Sequence, residues 1–297
     1  MTTTNTLALG LLRWLGHQDW VEYGVRDRMI RRLCNPDVVA PHDFEVNFFG
    51  VKYKGNLSCY LDWVVYFYGA YEKYELLLLR DLVKDKARPV FIDIGANVGQ
   101  HSLFMSRYCE RIHAFEPYEP VRRKLEINIR RNGIRNIVVH NVGLGHEDCA
   151  LDFFAPKSRN TGTGTFVSSY ATDSHECMGK MRVVGGDGCV SGCGLDKLDL
   201  IKIDVEGFER NVLMGLRNTL RKYRPVVFME FSTETKRSFQ GEREMMSMLP
   251  ENYLVKSIQT CRPCCKYFSR PGYRYVDFDF SVSGGNLVFV PCEEAGT

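Results

Sequence analysis

Two acidic residues on either side of a small-residue loop form the most informative pattern in the chain. The apolar run Val90–Ile94 contains Asp93 and leads directly into the loop 95–99, Gly-Ala-Asn-Val-Gly. Glu116 closes the next short apolar run. An acid about 20 residues beyond a glycine loop is placed to accept hydrogen bonds from both hydroxyls of a ribose. The pattern therefore predicts the nucleoside-binding half of an α/β fold.

The composition of the loop narrows the class of nucleoside. A dinucleotide-binding loop has the spacing G-x-G-x-x-G, which lets a pyrophosphate approach the backbone. Here Asn97 stands at the middle glycine position, and Gln100 follows Gly99. Such a loop suits a ligand without phosphate, such as S-adenosylmethionine, which carries a sulfonium, an amino acid end and an adenosine. A nucleotide-dependent oxidoreductase is the alternative that the missing glycine disfavours.

A third acidic segment lies at residues 198–209. Its apolar run ends at Asp204, and Glu206 and Gly207 precede the next predicted helix. An acid at the carboxyl end of a parallel strand lies in the crevice where open α/β sheets bind ligands. The preference of acids for helix N-termini is an alternative explanation, which fits Glu209 well and Asp204 poorly.

With residues 141–145 and 228–230, these segments resemble the FkbM-type family of S-adenosylmethionine-dependent O-methyltransferases. The order and spacing of five motifs carry the resemblance, which covers residues 90–235. The chain departs from the family at two positions. Gly143 stands where an alanine or serine is common, and His146 follows Gly145 where an acid is usual, so that the acid Glu147 comes one residue later. The resemblance implies a Rossmann-like, seven-stranded class I methyltransferase sheet with helices on both faces and an antiparallel last strand pair.

The resemblance also implies roles for individual residues. The predicted cofactor-binding residues are Asp93, Gly95, Ala96, Asn97, Gly99, His101, Ser102, Glu116, Pro117, Asn141, Val142, Gly143 and Asp204. Within this set Glu116 binds the ribose, and residues 141–143 border the adenine. The catalytic candidates are Asp204, Glu206 and Glu230. A divalent cation at Asp204 and Glu230 is an alternative that we do not favour, and no metal ligand is assigned.

The expected reaction is in-line transfer of a methyl group to a hydroxyl of a sugar, glycan or secondary-metabolite acceptor. A catalytically inactive, methyltransferase-like scaffold is the alternative from another class, and the intact glycines and acids argue against it. Aromatic residues within 60–71, together with the loop 160–166, are predicted to form the wall of the acceptor site because tyrosine and tryptophan suit amphipathic ligands.

Composition limits the location and the partners. The chain has 297 residues, of which 44% are hydrophobic and 25% charged, with a net charge of +3. This near-neutral charge does not favour a nucleic-acid partner. No apolar run reaches the roughly 20 residues of a membrane span, and no signal peptide is recognised, so we expect a cytoplasmic protein. The oligomeric state is not predicted.

Cysteine and histidine are predicted to be structural. The eleven cysteines are odd in number, and most lie in apolar patterns, as buried thiols do in a reducing compartment. The loops 189–193 and 261–265 could supply thiolates to zinc, but their spacing is unusual for such a site. His113 and His140 are predicted to be satisfied core residues.

Strands and helices alternate from residue 89 onward. The predicted strands are 90–94, 112–115, 137–142, 198–205, 225–231, 253–258 and 287–290, and the predicted helices are 100–109, 119–132, 207–223 and 243–249. We assign residues 89–292 to a methyltransferase domain and residues 293–297 to a tail. Residues 1–88 form an aromatic-rich cap with a hairpin and a helix over about 69–82.

Overall fold

The computed structural model describes residues 3–157, 164–282 and 284–292. The helices in these ranges are α1 (Thr3–Gly16), α2 (Tyr23–Leu33), α3 (Tyr60–Tyr68), α4 (Lys73–Val83), α5 (Gln100–Met105), α6 (Glu119–Asn132), α7 (Gly186–Gly192), α8 (Glu209–Gly215), α9 (Arg217–Tyr223), α10 (Thr233–Ser238) and α11 (Glu242–Ser247). The strands are β1 (Asp43–Phe48), β2 (Val51–Asn56), β3 (Val90–Ile94), β4 (Arg111–Phe115), β5 (Ile137–His140), β6 (Gly143–Gly145), β7 (Cys149–Pro156), β8 (His175–Gly185), β9 (Leu200–Ile203), β10 (Val226–Glu230), β11 (Tyr253–Pro263), β12 (Ser269–Asp277) and β13 (Asn286–Pro291). None of the helices within these ranges combines the length and apolar composition needed to cross a bilayer.

The central sheet has the strand order β12-β11-β13-β10-β9-β3-β4-β5. The strands from β10 to β5 in this order are parallel, whereas β13 is antiparallel to both of its neighbours. β3 and β9 are buried over their whole length, as expected for parallel strands with both faces covered. This arrangement confirms the predicted Rossmann-like sheet and its antiparallel last pair.

The central sheet has eight strands in the described part of the chain, one more than the seven expected. The additional strand, β12, pairs antiparallel with β11 at the edge of the sheet. Sequence analysis missed it because residues 269–277 include Pro271 and Gly272, which are uncommon inside strands. A separate three-stranded sheet has the order β6-β8-β7.

The cap covers one face of the central sheet. The antiparallel hairpin β1–β2 and the helices α3 and α4 share one apolar cluster with Phe91, Leu200 and Phe228 of the sheet. Trp63 and Tyr53 are fully buried in this cluster. The cap and the sheet therefore have a common core, and the division of the chain at residue 88 stays a prediction. The predicted tail, 293–297, lies outside the described residues.

The opposite face of the sheet is covered by helices from the second half of the chain. Val190 of α7, Val212 of α8 and Leu220 of α9 pack in one cluster with Ile92 and Ile203 of the sheet. With a helical layer on each face, the polar side chains of the parallel strands can reach solvent mainly at the strand ends.

The helix predicted over residues 207–223 is divided into α8 and α9, which meet at Leu216 (φ −108°, ψ 11°). Gly215 packs so closely on the three-stranded sheet that a Cβ at this position would lie 1.8 Å from the carbonyl oxygen of Gly145. A contact with a distant part of the chain thus coincides with the break, and the local sequence does not show it.

The cap contains two helices in its second half, where one was predicted over about 69–82. The aromatic run 60–68 is itself helical and ends at Gly69, whose φ of 86° is left-handed. The next helix begins at Lys73, after Glu72, which also has a left-handed backbone. Helix α4 therefore begins about four residues later than predicted, because Gly69 closes the preceding helix, α3.

Candidate active site

The carboxyl ends of the central parallel strands meet where the chain changes direction across the sheet. From β3 the chain proceeds to β4 and β5 on one side, and it later returns to β9 on the other side of β3. Open α/β sheets bind ligands at such a switch point. Gly95 follows β3, Glu116 follows β4, Asp204 follows β9 and Glu230 ends β10. This edge therefore collects residues that the sequence singled out.

The loop after β3 lies against the loop after β9. Gly95 has a φ of +78°, and a Cβ there would lie 1.8 Å from the carbonyl oxygen of Asp204, so only glycine fits. Asn97 is also left-handed, with a φ of 53°, and its side-chain oxygen accepts a hydrogen bond from the backbone of Val98 at 2.8 Å. The loop is therefore a tight turn that leads into α5.

Backbone groups fix the carboxylate of Glu116, whose side chain is buried. Oε2 accepts a hydrogen bond from the Asn97 N–H and Oε1 accepts one from the Tyr118 N–H, both at 2.8 Å. Burial raises the pKa of Glu116 to about 7, although the two backbone hydrogen bonds act in the opposite direction. Each oxygen keeps a further lone pair, so the fixed carboxylate can accept two hydroxyl groups.

A cavity of about 500 Å³, which we call the Glu116 cavity, adjoins this carboxylate. It is lined by Gly95, Asn97, Glu116, Pro117, Tyr118, Val121, Phe153, Gly164, Phe166, Asp204, Val205 and Glu206. The rings of Phe153 and Phe166 contact each other edge to face at 5.1 Å, which gives an apolar wall suited to a flat base. The described lining residues include no lysine or arginine, so a phosphate group would meet no cation there.

A second cavity of about 610 Å³, the Tyr71 cavity, opens beside the first. It is lined by Tyr60, Leu61, Tyr71, Glu72, Gly95, Ala96, Asn97, Val98, Gln100, His101, Lys202, Asp204, Glu206 and Glu230. The Tyr71 N–H donates to Oε1 of Gln100 at 3.0 Å, which anchors the cap to α5. The cap therefore lies over the same edge of the sheet as Gly95 and Asp204.

A buried lysine connects the acids beneath the Tyr71 cavity. Lys202 is 2% exposed, and its Nζ lies 3.0 Å from Oδ2 of Asp204 and 3.6 Å from Oδ1 of Asp93. Asp93 also accepts a hydrogen bond from Oγ of Ser102 at 2.6 Å. Burial alone would lower the pKa of Lys202, but the two carboxylates outweigh it and hold that pKa above its usual value.

Carboxyl groups outnumber cations around the Tyr71 cavity. Burial raises the pKa of Glu230, and repulsion from Asp204 raises it further. The same two causes raise the pKa values of Glu206 and Glu72. Lys202 is the single lysine or arginine among the described lining residues. The cavity therefore favours protons or another positively charged group.

The structure brings most of the predicted residues together. The three catalytic candidates, Asp204, Glu206 and Glu230, all line the Tyr71 cavity. The predicted cofactor residues that line one or both cavities are Gly95, Ala96, Asn97, His101, Glu116, Pro117 and Asp204. The functional roles of these residues stay predictions, but their proximity is a feature of the fold.

The other predicted cofactor residues line neither cavity. Asp93 and Ser102 are fully buried and bonded to each other, and a Cβ at Gly99 would clash with Leu125. Residues 141–143 approach the Glu116 cavity indirectly, because a Cβ at Gly143 would lie 3.1 Å from the ring of Phe166. These residues support the walls of the cavities.

The predicted acceptor wall is divided between the two cavities. Tyr60 and Tyr71 line the Tyr71 cavity, whereas Trp63 and Phe67 are fully buried in the core. Residues 160–163 of the predicted wall lie outside the described residues. The rest of that loop borders the Glu116 cavity through Phe166. Of the aromatic residues predicted for the acceptor wall, Tyr60 and Tyr71 line the Tyr71 cavity, and their role in acceptor binding stays a prediction.

Sequence analysis missed Lys202 and Glu72. Lys202 carried a signal that could have been used, because it stands in the apolar run Leu200–Ile203, where an unpaired ammonium would be costly. Glu72 carried no local signal: it follows the aromatic helix α3 and reaches the site only because the cap folds over the sheet.

The two histidines predicted to be satisfied core residues are only partly satisfied. Nδ1 of His113 lies 2.9 Å from Nε2 of His140, but Nε2 of His113 is buried and has no partner in the described part of the chain. With Cys193 they form one of two groups of three metal-capable side chains in the described residues. The second group comprises Glu72, Glu75 and His101.

Comparison with known proteins identifies a domain over this same region. A family model described as the methyltransferase FkbM domain matches residues 93–257. This match begins within β3 and ends within β11, so it contains the motifs of both cavities, apart from the residues contributed by the cap.

Other proteins are similar in sequence to part of this chain. The AMB antimetabolite synthetase AmbE of Pseudomonas aeruginosa is 26% identical over 62% of this chain and 10% of its own length. The hexuronic acid methyltransferase AglP of Haloferax volcanii is 27% identical over 51% of this chain and 58% of its own length. The chain thus spans about a tenth of the first relative and over half of the second. The crystal structure of methyltransferase FkbM from Methylobacillus flagellatus KT has 17% identity and a TM-score of 0.43 over 68% of this chain and 43% of that one.

Proposed function

This chain belongs to the FkbM methyltransferase family, and we propose that it is an S-adenosylmethionine-dependent O-methyltransferase. The proposed acceptor is a hydroxyl group of a sugar, glycan or secondary metabolite. One observation carries the proposal: the Glu116 cavity and the Tyr71 cavity meet at Gly95, Asn97 and Asp204. S-adenosylmethionine in the Glu116 cavity would therefore present its methyl group to an acceptor in the Tyr71 cavity.

The residues of the Glu116 cavity fit the adenosine part of S-adenosylmethionine. Glu116 offers two carboxylate oxygens to the ribose hydroxyls, and Phe153 and Phe166 offer an aromatic wall to the adenine. The absence of lysine and arginine from the described lining is consistent with a ligand that has no phosphate. It also argues against the oxidoreductase alternative.

The residues of the Tyr71 cavity fit an acceptor beside a cationic donor. When bound, S-adenosylmethionine supplies an electrophilic methyl group, whose bond to sulfur breaks as the bond to the acceptor oxygen forms. Tyr60 and Tyr71 would hold the acceptor in line, an effect worth up to ~7–11 kcal/mol. Asp204 is the candidate for removing the hydroxyl proton, which contributes about 10²–10⁴-fold. Glu230, whose raised pKa favours its protonated form, would hydrogen-bond to the acceptor.

The name of one relative supports the sugar part of the proposed acceptor class. AglP is named as a hexuronic acid methyltransferase and AmbE as an antimetabolite synthetase. A sugar acid offers hydroxyl groups next to other polar groups. Such acceptors suit a cavity that combines tyrosines with acidic side chains.

Substitution of Asp204 tests the proposed chemistry. Asp204→Asn should lower methyl transfer by at least about 100-fold while largely keeping the affinity for S-adenosylhomocysteine, because the acid acts on the acceptor. The measurements are turnover with hydroxylated acceptors, followed by mass spectrometry, and calorimetric titration of S-adenosylhomocysteine. Asp196→Asn, at an exposed position, is the matched control. Full turnover in Asp204→Asn would exclude this acid as the base.

We also propose a cytoplasmic location and no nucleic-acid partner. The ten cysteines that the structure describes are all free thiols, which suits a reducing compartment. The acidic lining of both cavities would repel the phosphates of a nucleic acid.

A further inference from the structure

We propose that Glu72, Glu75 and His101 bind one divalent transition-metal ion, with Zn²⁺ or Mn²⁺ as the fitting ions, at the wall of the Tyr71 cavity. One ligand atom of each side chain lies within 4.8 Å of those of the other two. The role of the ion, which is to hold the acceptor oxygen, rests on the proposed methyl transfer. The ion site itself depends only on these three residues.

His101 provides independent evidence for a ligand. Its side chain is 8% exposed, and its Nε2 is buried without a hydrogen-bond partner among the described residues. This nitrogen faces Glu72, with a distance of 4.0 Å between Nε2 and Oε2. That distance is too long for a hydrogen bond. It is within reach of two ligands on one ion, because zinc binds histidine nitrogen and carboxylate oxygen at about 2.0–2.2 Å each.

A supporting hydrogen bond orients the second carboxylate. Nδ2 of Asn286, at the start of β13, donates to Oε1 of Glu75 at 2.7 Å. Metal-binding carboxylates are usually held by such outer partners, which direct the remaining lone pairs to the ion. Glu75 lies in the first turn of α4, three residues after Glu72, so one helix start supplies both carboxylates.

Lys202, which lines the same cavity, does not take the place of an ion. Nζ of Lys202 makes its ion pairs with Asp93 and Asp204, on the sheet side of the cavity. Glu72 and Glu75 therefore face His101 without a paired lysine. Glu72 and Glu75 hydrogen-bond to each other through a proton that a bound ion would displace, so two carboxyl groups and a buried imidazole nitrogen are available as ligands.

The donor set indicates the class of metal. Imidazole nitrogen suits transition metals such as zinc, whereas carboxylate oxygen also suits manganese, and a mixed set of one nitrogen and two carboxylates fits both. Three protein ligands leave at least one coordination position open, as in catalytic zinc sites. Glu72 and His101 line the Tyr71 cavity, so an acceptor oxygen can reach that position. The fitting acceptor carries a second oxygen next to the methylated hydroxyl, which lets it chelate the ion.

Calorimetric titration of the full chain, without an affinity tag and after removal of chelator, tests the site with Zn²⁺ and Mn²⁺ separately. We expect one equivalent to bind, and Glu72→Gln and His101→Gln each to weaken this binding at least tenfold. Cys193→Ser is the matched control, because the group His113, His140 and Cys193 is the other metal-capable group in the described residues. The Cys193→Ser variant should still bind one equivalent of the metal ion.

A titration with S-adenosylhomocysteine in the presence of EDTA separates the possible failures. Glu72→Gln should bind this nucleoside like the unsubstituted protein, which shows that it is folded, and Glu75→Gln replaces it if it does not. Because His101 is a predicted cofactor residue, folding of His101→Gln is shown by an unchanged far-UV circular dichroism spectrum. Failure of the ion to bind, wild-type ion affinity in the variants, or loss of binding in Cys193→Ser would overturn the metal site. Ion binding without nucleoside binding would instead contradict the proposed function.

Discussion

At the residue scale, we expect Glu116 to couple cofactor affinity to pH. Burial raises its pKa to about 7, so below that pH the unliganded protein carries a protonated carboxyl with one acceptor fewer for the ribose. In the proposed site, the ionised form is the one that binds the ribose. We therefore expect the affinity for S-adenosylhomocysteine to rise between pH 5.5 and 8 and to level off above that, as measured by calorimetry in several buffers.

Replacement of Glu116 should remove this pH dependence. Glu116→Gln leaves one acceptor oxygen and no charge, and hydrogen bonds to a charged group are worth about 1.5–3 kcal/mol. We expect affinity to fall by about tenfold or more at pH 8 and to change little with pH. Glu119→Gln, at an exposed position, is the control. A flat pH profile in the unsubstituted protein would contradict the role of Glu116.

Glu230 should make the unliganded protein less stable at alkaline pH. Burial and the repulsion of Asp204 raise its pKa above the ordinary 4.5, and its Oε2 is buried without a partner in the described structure. The folded state therefore holds this proton more tightly than the unfolded state. The stability that the protonated group contributes is complete below pH 4.5 and is lost as the pH rises toward the raised pKa.

The variant Glu230→Gln removes the titrating carboxyl group. We expect its melting temperature to exceed that of the unsubstituted protein at pH 8 and to match it near pH 4.5, measured by calorimetry with EDTA and without ligand. Glu251→Gln, which is exposed, serves as the control. An equal difference at both pH values would show that Glu230 does not titrate in this way.

At the element scale, Asp62 of α3 holds the cap together. Its buried carboxylate accepts hydrogen bonds from Oη of Tyr53 at 2.6 Å and from the Asn56 N–H at 3.0 Å, and it forms an ion pair with Lys124 of α6 at 3.2 Å. These contacts join the hairpin β1–β2, α3 and α6. Asp62 is therefore one of the polar links between the cap and α6, beside the hydrogen bonds of Lys52 and Lys54 to Asn132 and Asn128.

Asp62→Ala should lower the free energy of unfolding by about 3 kcal/mol, because the buried Tyr53 hydroxyl, the half-buried Asn56 N–H and the Lys124 ammonium lose this partner. Denaturant titration measures the change. Glu119→Ala removes an exposed ion pair with Arg123 and should cost less than ~1 kcal/mol. Similar small losses in both variants would mean that Asp62 adds little to the attachment of the cap.

Elements with a strong local pattern were predictable from the sequence. The helix Glu119–Asn132 has the predicted bounds because Pro120 lies in its first turn and Gly133 closes it in a left-handed conformation. The break at Leu216 was not predictable, because it accompanies the approach of Gly215 to another sheet. The local sequence determines where such elements begin, whereas distant contacts determine where some of them break.

At the scale of the whole molecule, the two cavities were predictable to different degrees. The Glu116 cavity is built from loops that directly follow neighbouring strands, so Gly95 and Glu116 could be placed from their own motifs. The Tyr71 cavity combines these loops with Tyr71 and Glu72 of the cap. Its assembly depends on how the cap packs on the sheet, and no local pattern records that packing.

The central claim is that one donor occupies the Glu116 cavity and presents its sulfur to the Tyr71 cavity. A crystal structure with bound S-adenosylhomocysteine tests this most directly. We expect both ribose hydroxyls within hydrogen-bonding distance of the Glu116 carboxylate and the sulfur at the junction beside Gly95 and Asp204. A ribose bound away from Glu116, or a sulfur directed away from the Tyr71 cavity, would contradict the claim.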